Sequence, residues 1–496
     1  MSTIRSLASQ TAIYGISSIV GRFLNYLLVP VYTRVFVPEA YGVISEFYAY
    51  TTFLLVLFTY GMETAFFHFS EKNPDKAHVY RNSFSLLCIT SVILSSILIL
   101  FSQPIANVLG YQKHAEYVTW FAMILAFDAV TSISFTRLRQ QNKPKKFALY
   151  KTINIVINIS LNIFFLVFAK ELYEKGTTIG KWLYNPAYGV GYVFISNLVA
   201  SGVTVLLFAG SFKDFTTKLD GALLKKMFFY ALPLMIAGFA GMINETLDRA
   251  IYKYLIPDRA IALHQLGIYS ACYKVSIFMM LFIQTFRYAS EPFFFAQQNK
   301  ENSRQLYAKV MNYFVAICCF IFLGVMLYID FFMHFIGESY REGVGVVPVL
   351  LFANLCLGIY INLSIWYKLS GDTHFGAWFS MIGAVITIVL LITLVPLFGY
   401  MGAAWATLIC YASIMLISFV TGQKKFPIPY QTDLLLLMIS MSLLFYFVSS
   451  RITGLFTSFL AIQTVKALLL LIYIGGVYKL IQSKNKITGA SASSAT

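Results

Sequence analysis

Val385-Ile386-Thr387-Ile388-Val389-Leu390-Leu391-Ile392-Thr393-Leu394-Val395 is the stretch on which the reading of this sequence turns. It holds no charge and does not alternate between apolar and polar residues. A strand of a membrane barrel would alternate at period two, so a helix is expected. Outward from this core the apolar segment fills about 376–396, and a second, 399–421, follows at once. About 20 apolar residues cross the hydrocarbon core of a bilayer as a helix. Because lipid offers no hydrogen bonds, such a span must satisfy its backbone internally.

Segments of this kind recur along all 496 residues. The chain is 58% hydrophobic and 12% charged with a mean hydropathy of +0.72, whereas a soluble domain carries about 25% charged residues. The fold class expected is all-α: a polytopic membrane protein of about fourteen transmembrane helices. The spans fall near 8–31, 41–67, 82–101, 117–136, 147–169, 188–210, 222–245, 264–288, 308–329, 345–367, 376–396, 399–421, 431–450 and 455–480. The first is too long for a signal-peptide core and lacks a small-residue cleavage pattern. With both termini on one side, roughly two thirds of the Lys and Arg fall on that side. The Arg137, Arg139, Lys143, Lys145, Lys146 loop is the strongest example, and the bias makes that side, and both termini, cytoplasmic.

The net charge of +16 does not indicate nucleic acid, because the basic residues sit at span ends rather than in one patch. The six cysteines (Cys88, Cys272, Cys318, Cys319, Cys356, Cys410) all fall in apolar segments with no Cys-x-x-Cys, so neither a zinc site nor a disulfide framework is expected. Direct ATP drive is not expected either. Gly176-Thr-Thr-Ile-Gly180-Lys181, the nearest string to a phosphate loop, has the wrong spacing. No His-Glu-x-x-His occurs, the six histidines are scattered, and no catalytic or metal-binding set emerges.

The two halves resemble each other. Tyr32-Thr-Arg-Val-Phe-Val-Pro38-Glu39 followed by Tyr41-Gly42-Val43 parallels Tyr252-Lys-Tyr-Leu-Ile-Pro257-Asp258 followed by Leu266-Gly267-Ile268-Tyr269. Tyr188-Gly189-Val190-Gly191 at the sixth span parallels Phe398-Gly399-Tyr400-Met401-Gly402 at the twelfth. Six spans separate the copies. Six is even, so the repeat is parallel, about an axis along the membrane normal. The domains expected are an N-lobe over 1–215, a C-lobe over 216–422, two extra helices over 423–482 and a disordered tail over 483–496.

Ionisable residues inside spans face protein or water rather than lipid. The candidates are Arg22, Glu46, Glu63, Asp128, Lys274 and, near an inner end, Arg287. From the helix rise, Arg22 lies ~13 Å, Glu46 ~8 Å and Lys274 ~15 Å from the outer side. If these three share a cavity, two cations and one carboxylate leave a positive balance suited to a diphosphate, with Arg as a bidentate fork and Lys as a point charge. The structural alternative is an Arg22–Glu46 pair that joins the first two spans. Glu63 and Arg287 serve a gate or reach the interface. Asp128 carries a proton or makes a polar contact. Glu245, Asp248 and Arg249 form an interfacial charge cluster. Asn25 and Asn244 are polar candidates for the same cavity. Asn154, Asn158 and Asn162 share one face of the fifth span, where amides either line a sugar wall or join helices.

Tyr32 to Gly42, Leu266-Gly-Ile-Tyr-Ser-Ala271 and Phe398-Gly-Tyr-Met-Gly-Ala-Ala-Trp-Ala-Thr407 together resemble the bacterial polysaccharide-exporter family, which includes O-antigen flippases within the multidrug and oligosaccharidyl-lipid exporter superfamily. The resemblance runs from the first span to the twelfth. It implies two six-helix lobes, a cavity lined by spans 1, 2, 7 and 8, and a flippase for undecaprenyl-diphosphate-linked repeat units working by alternating access in the bacterial inner membrane. It also implies that Arg22, Lys274 and Arg287 hold the headgroup. The chain has fewer cavity arginines than peptidoglycan-precursor flippases, which favours another glycan over lipid II. No cofactor is implied. A proton or sodium gradient is a candidate drive, with Glu46, Glu63 or Asp128 as coupling carboxylates. The partners implied are the lipid-linked glycan, membrane lipid and other glycan-assembly membrane proteins. Two alternatives stand beside it. A multidrug or cation exporter would want an acidic, aromatic cavity. A glycan polymerase or ligase would want a large outer loop, and 170–187 and 246–263 are short.

Overall fold

A computed structural model describes residues 21, 23, 24, 26–298, 302–452 and 458–493. Among them there is no strand. Ten helical segments are long and apolar enough to cross a membrane, or up to twelve if each of two bent pairs is one span. The chain is a multi-pass helical membrane protein. The expected count of fourteen includes a first span, 8–31, that falls mostly outside the described residues. It also divides a 52-residue segment, His374–Lys425, in two; there a non-helical Gly399 (φ 57°, ψ −137°) joins two helices end to end. The break falls where the sequence places the 396/399 boundary.

Within residues 1–270 the helices are α1 (Val29–Val35), α2 (Pro38–Thr59), α3 (Met62–Lys72), α4 (Lys76–Leu100), α5 (Ser102–Val108), α6 (Ala115–Gln140), α7 (Pro144–Ile163), α8 (Lys170–Glu174), α9 (Thr178–Leu183), α10 (Gly191–Leu207), α11 (Gly221–Leu255) and α12 (Arg259–Val275), the last running past Ser270. Helices α2 and α7 start with proline in the first turn, where its missing N–H leaves no bond unmade. A π-helical stretch, Phe164–Ala169, links α7 to α8.

The second expected span is broken. Tyr60 (φ 34°) and Gly61 (φ 73°) adopt left-handed conformations between α2 and α3, which only Gly enters freely. The break starts a new helix whose first turn carries Glu63, and acidic groups are favoured at that positive end of a helix dipole. It is anchored by packing. Met62, Ala65 and Phe66 of α3 are buried with Tyr80 and Phe84 of α4 and Met227 and Ala231 of α11.

Residues 271–496 form the second compact unit. Its helices include α13 (Ile277–Gln297), α14 (Ser303–Leu327), α15 (Ile329–Met333), α16 (Val346–Leu363), α17 (Ile365–Leu369), α18 (His374–Lys425), α19 (Thr432–Ile452) and α20 (Phe459–Ser493). Trp366 is fully buried, and its ring sits 5.1 Å from Phe375. A Cβ on Gly422 would crowd the Trp366 indole, so glycine permits the close approach. Helix α20 continues through most of the tail expected to be disordered. Lys466 on it is nearly buried and lies 3.6 Å from Asp330.

The division between units falls at Ser270/Ala271, later in the chain than the 215/216 lobe boundary expected from the repeat. The cause is α11, which packs on α2 and α3. The repeat itself is visible in the backbone. Phe36 (φ −107°, ψ 146°) and Ile256 (φ −117°, ψ 127°) end their helices in the same extended conformation, the first two residues before Pro38 and the second one residue before Pro257. Gly189 (φ 47°, ψ −116°) and Gly399 (φ 57°, ψ −137°) share a conformation open only to glycine. Gly42 and Gly267 meet each other. A Cβ on Gly42 would overlap the carbonyl of Leu263, four residues before Gly267, and a Cβ on Gly267 would overlap the carbonyl of Pro38, four residues before Gly42. Exchange of the two motifs leaves this contact unchanged, as a two-fold relation requires.

Candidate functional site

Two charge clusters, one buried and one half-exposed, lie in the first unit. The first is at the end of α2 expected to face outward. Glu46 of α2 is fully buried. Its Oε1 receives the Lys253 ammonium from the last turn of α11 and the Tyr50 hydroxyl one turn along α2. Its Oε2 accepts the Tyr111 hydroxyl at 2.6 Å. The Lys253 side chain is 4% exposed and also donates to the Leu109 carbonyl at 2.8 Å. Arg259, opening α12, donates to the Gly110 carbonyl and stacks 4.6 Å from the Tyr111 ring centre. A shell of rings keeps water out: Phe47 lies 5.1 Å from Tyr111, 5.3 Å from Phe121 and 5.5 Å from Phe194. The Glu46–Lys253 pair sets two opposite charges together with both carboxylate oxygens occupied. That is the condition under which a buried ion pair does not destabilise its surroundings.

Nearby, Asp248 of α11 is buried and accepts the Tyr269 hydroxyl at 2.6 Å and Arg249 Nε at 3.2 Å. His264 and Glu39 pair at 2.8 Å nearer the surface. The expected interfacial cluster of Glu245, Asp248 and Arg249 is therefore partly interior. Helix α11 runs ten residues beyond the expected end at 245, because Tyr252 is buried and the charges around it find partners.

The second cluster opens into a cavity of about 520 Å³ among α2, α3, α6, α7, α10 and α11, well within the ~300–1,000 Å³ range of ligand pockets. Glu63 accepts Arg139 Nη2 and the Thr136 hydroxyl, each at 3.2 Å. Arg139 lies 5.3 Å over the Phe67 ring. Asp128 accepts the Ser201 hydroxyl at 2.8 Å. Lys151 Nζ sits 4.3 Å over the Phe135 ring. Asn154 donates to Thr204 at 2.9 Å and Asn197 to the Tyr48 hydroxyl at 3.2 Å. All of Glu63, Asp128, Arg139, Lys151, Asn154 and Asn197 line the cavity. A neighbouring cavity of about 450 Å³, bounded by Tyr50, Leu54, Phe121 and Tyr254, is lined almost wholly by apolar atoms, so a polar lining is not a general feature of this bundle.

Of the residues expected from sequence, Arg22 and Asn25 lie outside the described residues. Glu46 lies in the sealed cluster, and Glu63 and Asp128 lie together in the open one. Asn244 is half-buried on α11. Lys274, half-buried in the last turn of α12, and Arg287 of α13, stacked 5.6 Å from Tyr288, belong to the second unit. The asparagine row on α7 divides. Asn154 faces the cavity, whereas buried Asn162 accepts from the Tyr32 hydroxyl at 2.9 Å and donates to Asn158, so it joins helices.

Lys253, Tyr111, Arg139, Lys151 and Asn197 were not singled out as site residues by sequence. Lys253 and Arg259 fall in what reads as an outer loop. Arg139 and Lys151 fall in the basic flank that membrane topology alone explains. The available signal for Lys151 was its spacing: it precedes Asn154 by three residues and so shares its face of the helix.

A family model described as "Polysaccharide biosynthesis protein" matches residues 7–298, more than half of the chain. No curated protein matches in sequence. Among solved structures, the chain is similar to the lipid II flippase MurJ in an inward closed conformation: 17% identity, 94% of this chain and 99% of that one covered, TM-score 0.69. It is also similar to an inward-facing multidrug resistance MATE family transporter of the MOP superfamily: 14% identity, 81% and 93% covered, TM-score 0.60. The outward-facing form of such a transporter gives 13% identity, 84% and 95% covered, and a TM-score of 0.54. At these identities the likeness is one of fold.

Proposed function

The chain belongs to the polysaccharide biosynthesis protein family, and on that premise we propose that it is a flippase. Its cargo is an undecaprenyl-diphosphate-linked oligosaccharide, carried from the cytoplasmic to the periplasmic leaflet of a bacterial inner membrane, and both termini of the chain are cytoplasmic. The observation that carries this reading is the polar cavity: amides, hydroxyls and charges of both signs set inside an apolar helix bundle. A hydroxyl-rich headgroup needs such a wall to leave water, because an unpaired buried polar group costs about 1–3 kcal/mol. The lipid tail stays in the bilayer.

In this mechanism the Glu46–Lys253 cluster and the Gly42–Gly267 contact hold one end shut, and alternating access requires both to part. Arg22, Lys274 and Arg287 are the diphosphate ligands. Asp128 and Glu63, which face the cavity, are better placed for ion coupling than Glu46, whose two oxygens are filled. A cation exporter would be favoured by an acidic cavity, but here Arg139 and Lys151 offset Glu63 and Asp128.

The test is transport by the purified chain in vesicles, with a fluorescent lipid-linked oligosaccharide in one assay and a cationic dye in the other. The expected result is oligosaccharide movement above protein-free vesicles, reduced at least about tenfold in Lys274→Ala, which removes a charge-assisted bond of about 1.5–3 kcal/mol. Dye movement with no oligosaccharide movement would replace this reading by the exporter.

A further inference from the structure

We infer that the cavity of the first unit is a subsite for an acidic sugar, one ring bearing a carboxylate among its hydroxyls. This inference rests on the flippase reading and narrows the glycan it carries.

The argument is a tally of unused hydrogen-bonding capacity on the cavity wall. Among the described residues, no carboxylate lies within ion-pair distance of Lys151, whose Nζ lies 4.3 Å over the Phe135 ring. Arg139 binds Glu63 and Thr136 through Nη2, and its Nε is buried out of a ligand's reach. The Lys151 ammonium is therefore the cationic donor left over. The acceptors left over are different in kind. Asn154 and Asn197 each spend an amide N–H on a neighbouring hydroxyl, leaving their Oδ1 atoms available, and Asp128 has a single hydroxyl bond. Lys151 thus calls for an anion, while Asp128, Asn154 and Asn197 call for O–H donors. A carboxylated sugar supplies both in one molecule. A bare diphosphate supplies anionic oxygens without hydroxyls and brings more negative charge than a single sugar carboxylate into a cavity that already holds Glu63 and Asp128, where like charges repel. A neutral hexose supplies hydroxyls but no anionic oxygen to bond the Lys151 ammonium, which lines the cavity with no carboxylate in ion-pair contact.

The experiment is equilibrium binding to the purified full chain, read by tryptophan fluorescence and by ligand-induced thermal shift. The probes are D-glucuronate, its neutral methyl ester, D-glucose and inorganic pyrophosphate. Glucuronate is expected to bind about tenfold or more tightly than its ester or glucose, as one charge-assisted bond implies. Lys151→Gln should abolish that preference, and Lys151→Arg should keep it, which separates lost recognition from lost folding. Equal binding of glucuronate and glucose, a preference that survives Lys151→Gln, pyrophosphate binding that is lost in Lys151→Gln, or no binding of any probe would each overturn the inference. Binding and transport fail separately. If oligosaccharide still moves in vesicles without any glucuronate preference, the subsite is wrong and the flippase reading stands. If glucuronate binds selectively but no lipid-linked oligosaccharide moves, the subsite stands and the flippase reading is wrong.

Discussion

Two ion pairs of the first unit, Glu46–Lys253 and Glu63–Arg139, carry their carboxylates on the two segments, α2 and α3, of one broken span and are built to opposite ends. At the first, the side chains are 0% and 4% exposed, and every carboxylate oxygen has a donor. At the second, both are 39% exposed, the Arg139 Nε is unpaired, and a cavity adjoins. The chemistry of the charges is the same. What differs is the local backbone. Continuous α2 and extended α11 press Glu46 and Lys253 together under a lid of rings. The Tyr60-Gly61 break splays the chain open before Glu63. A charge in a membrane protein is thus read for function by its leftover bonding capacity rather than by its presence.

The largest effect should come from unbalancing the sealed pair. Lys253→Met leaves Glu46 buried and uncompensated, and loss of one partner of a buried pair destabilises by about 3–5 kcal/mol. The same change at Arg139 acts on a pair more than one third exposed and should cost under about 1 kcal/mol. Thermal unfolding of the detergent-solubilised variants checks both. Adding Glu46→Gln to Lys253→Met should recover most of the loss, because the Tyr50 and Tyr111 hydroxyls can still donate to the amide oxygen. Equal losses at Lys253 and Arg139 would mean the two clusters do not differ in the way described.

A middle-sized effect is expected where backbones rather than charges meet, at Gly42 and Gly267. Gly267→Ala puts a methyl group into the Pro38 carbonyl and Gly42→Ala puts one into that of Leu263. Overpacking of this kind costs about 1–3 kcal/mol. Since each glycine packs on the other's preceding turn, the double substitution should be less than additive: once one methyl has pushed the helices apart, the second meets less resistance. Strict additivity, measured in the same melting assay, would show that the two contacts are independent and the two-fold relation accidental.

Much of the fold was legible because it depends on patterns a single chain displays: long apolar runs, and glycines at corresponding places in two halves. Gly189 and Gly399 were readable as a repeat, and their shared backbone conformation gives the reason glycine stands at both. The site was half legible. Glu46, Glu63 and Asp128 stand out as charges within apolar segments. Lys253 and Lys151 do not, because a lysine at the end of a hydrophobic run is what membrane topology places there anyway. Only the length of α11 past residue 245 and the face shared with Asn154 reveal their roles. Spacing along one helix does not state which other helix will meet it. The asparagine row shows the limit most clearly: three identical residues at one spacing divide between cavity wall and helix contact, according to neighbours 50 and 130 positions away.

The smallest effect belongs to the other end of α11, and it calibrates the comparison with a charge left in water. Asp220 caps that helix. Its Oδ1 accepts the Leu223 N–H at 3.0 Å and its Oδ2 lies 3.1 Å from His78 Nε2. The Leu223 N–H bond, and after it the bond to His78, hold the Asp220 carboxyl below its ordinary value. A carboxyl lowered on folding adds stability that is complete above its unfolded value of about 3.9 and is lost as pH falls through the lowered folded value. Asp220→Asn keeps a competent cap but removes the charge. The wild-type chain should therefore melt slightly above the variant near pH 5 to 6, and the gap should close as pH drops below about 4. Added salt should shrink the gap as well, because this carboxylate is open to screening. The Lys253→Met loss should barely respond to salt, since no counterion reaches Glu46. A gap at Asp220 that is indifferent to both pH and salt would mean the cap acts through shape alone, and burial would then no longer explain why one end of this helix needs its charge and the other merely uses it.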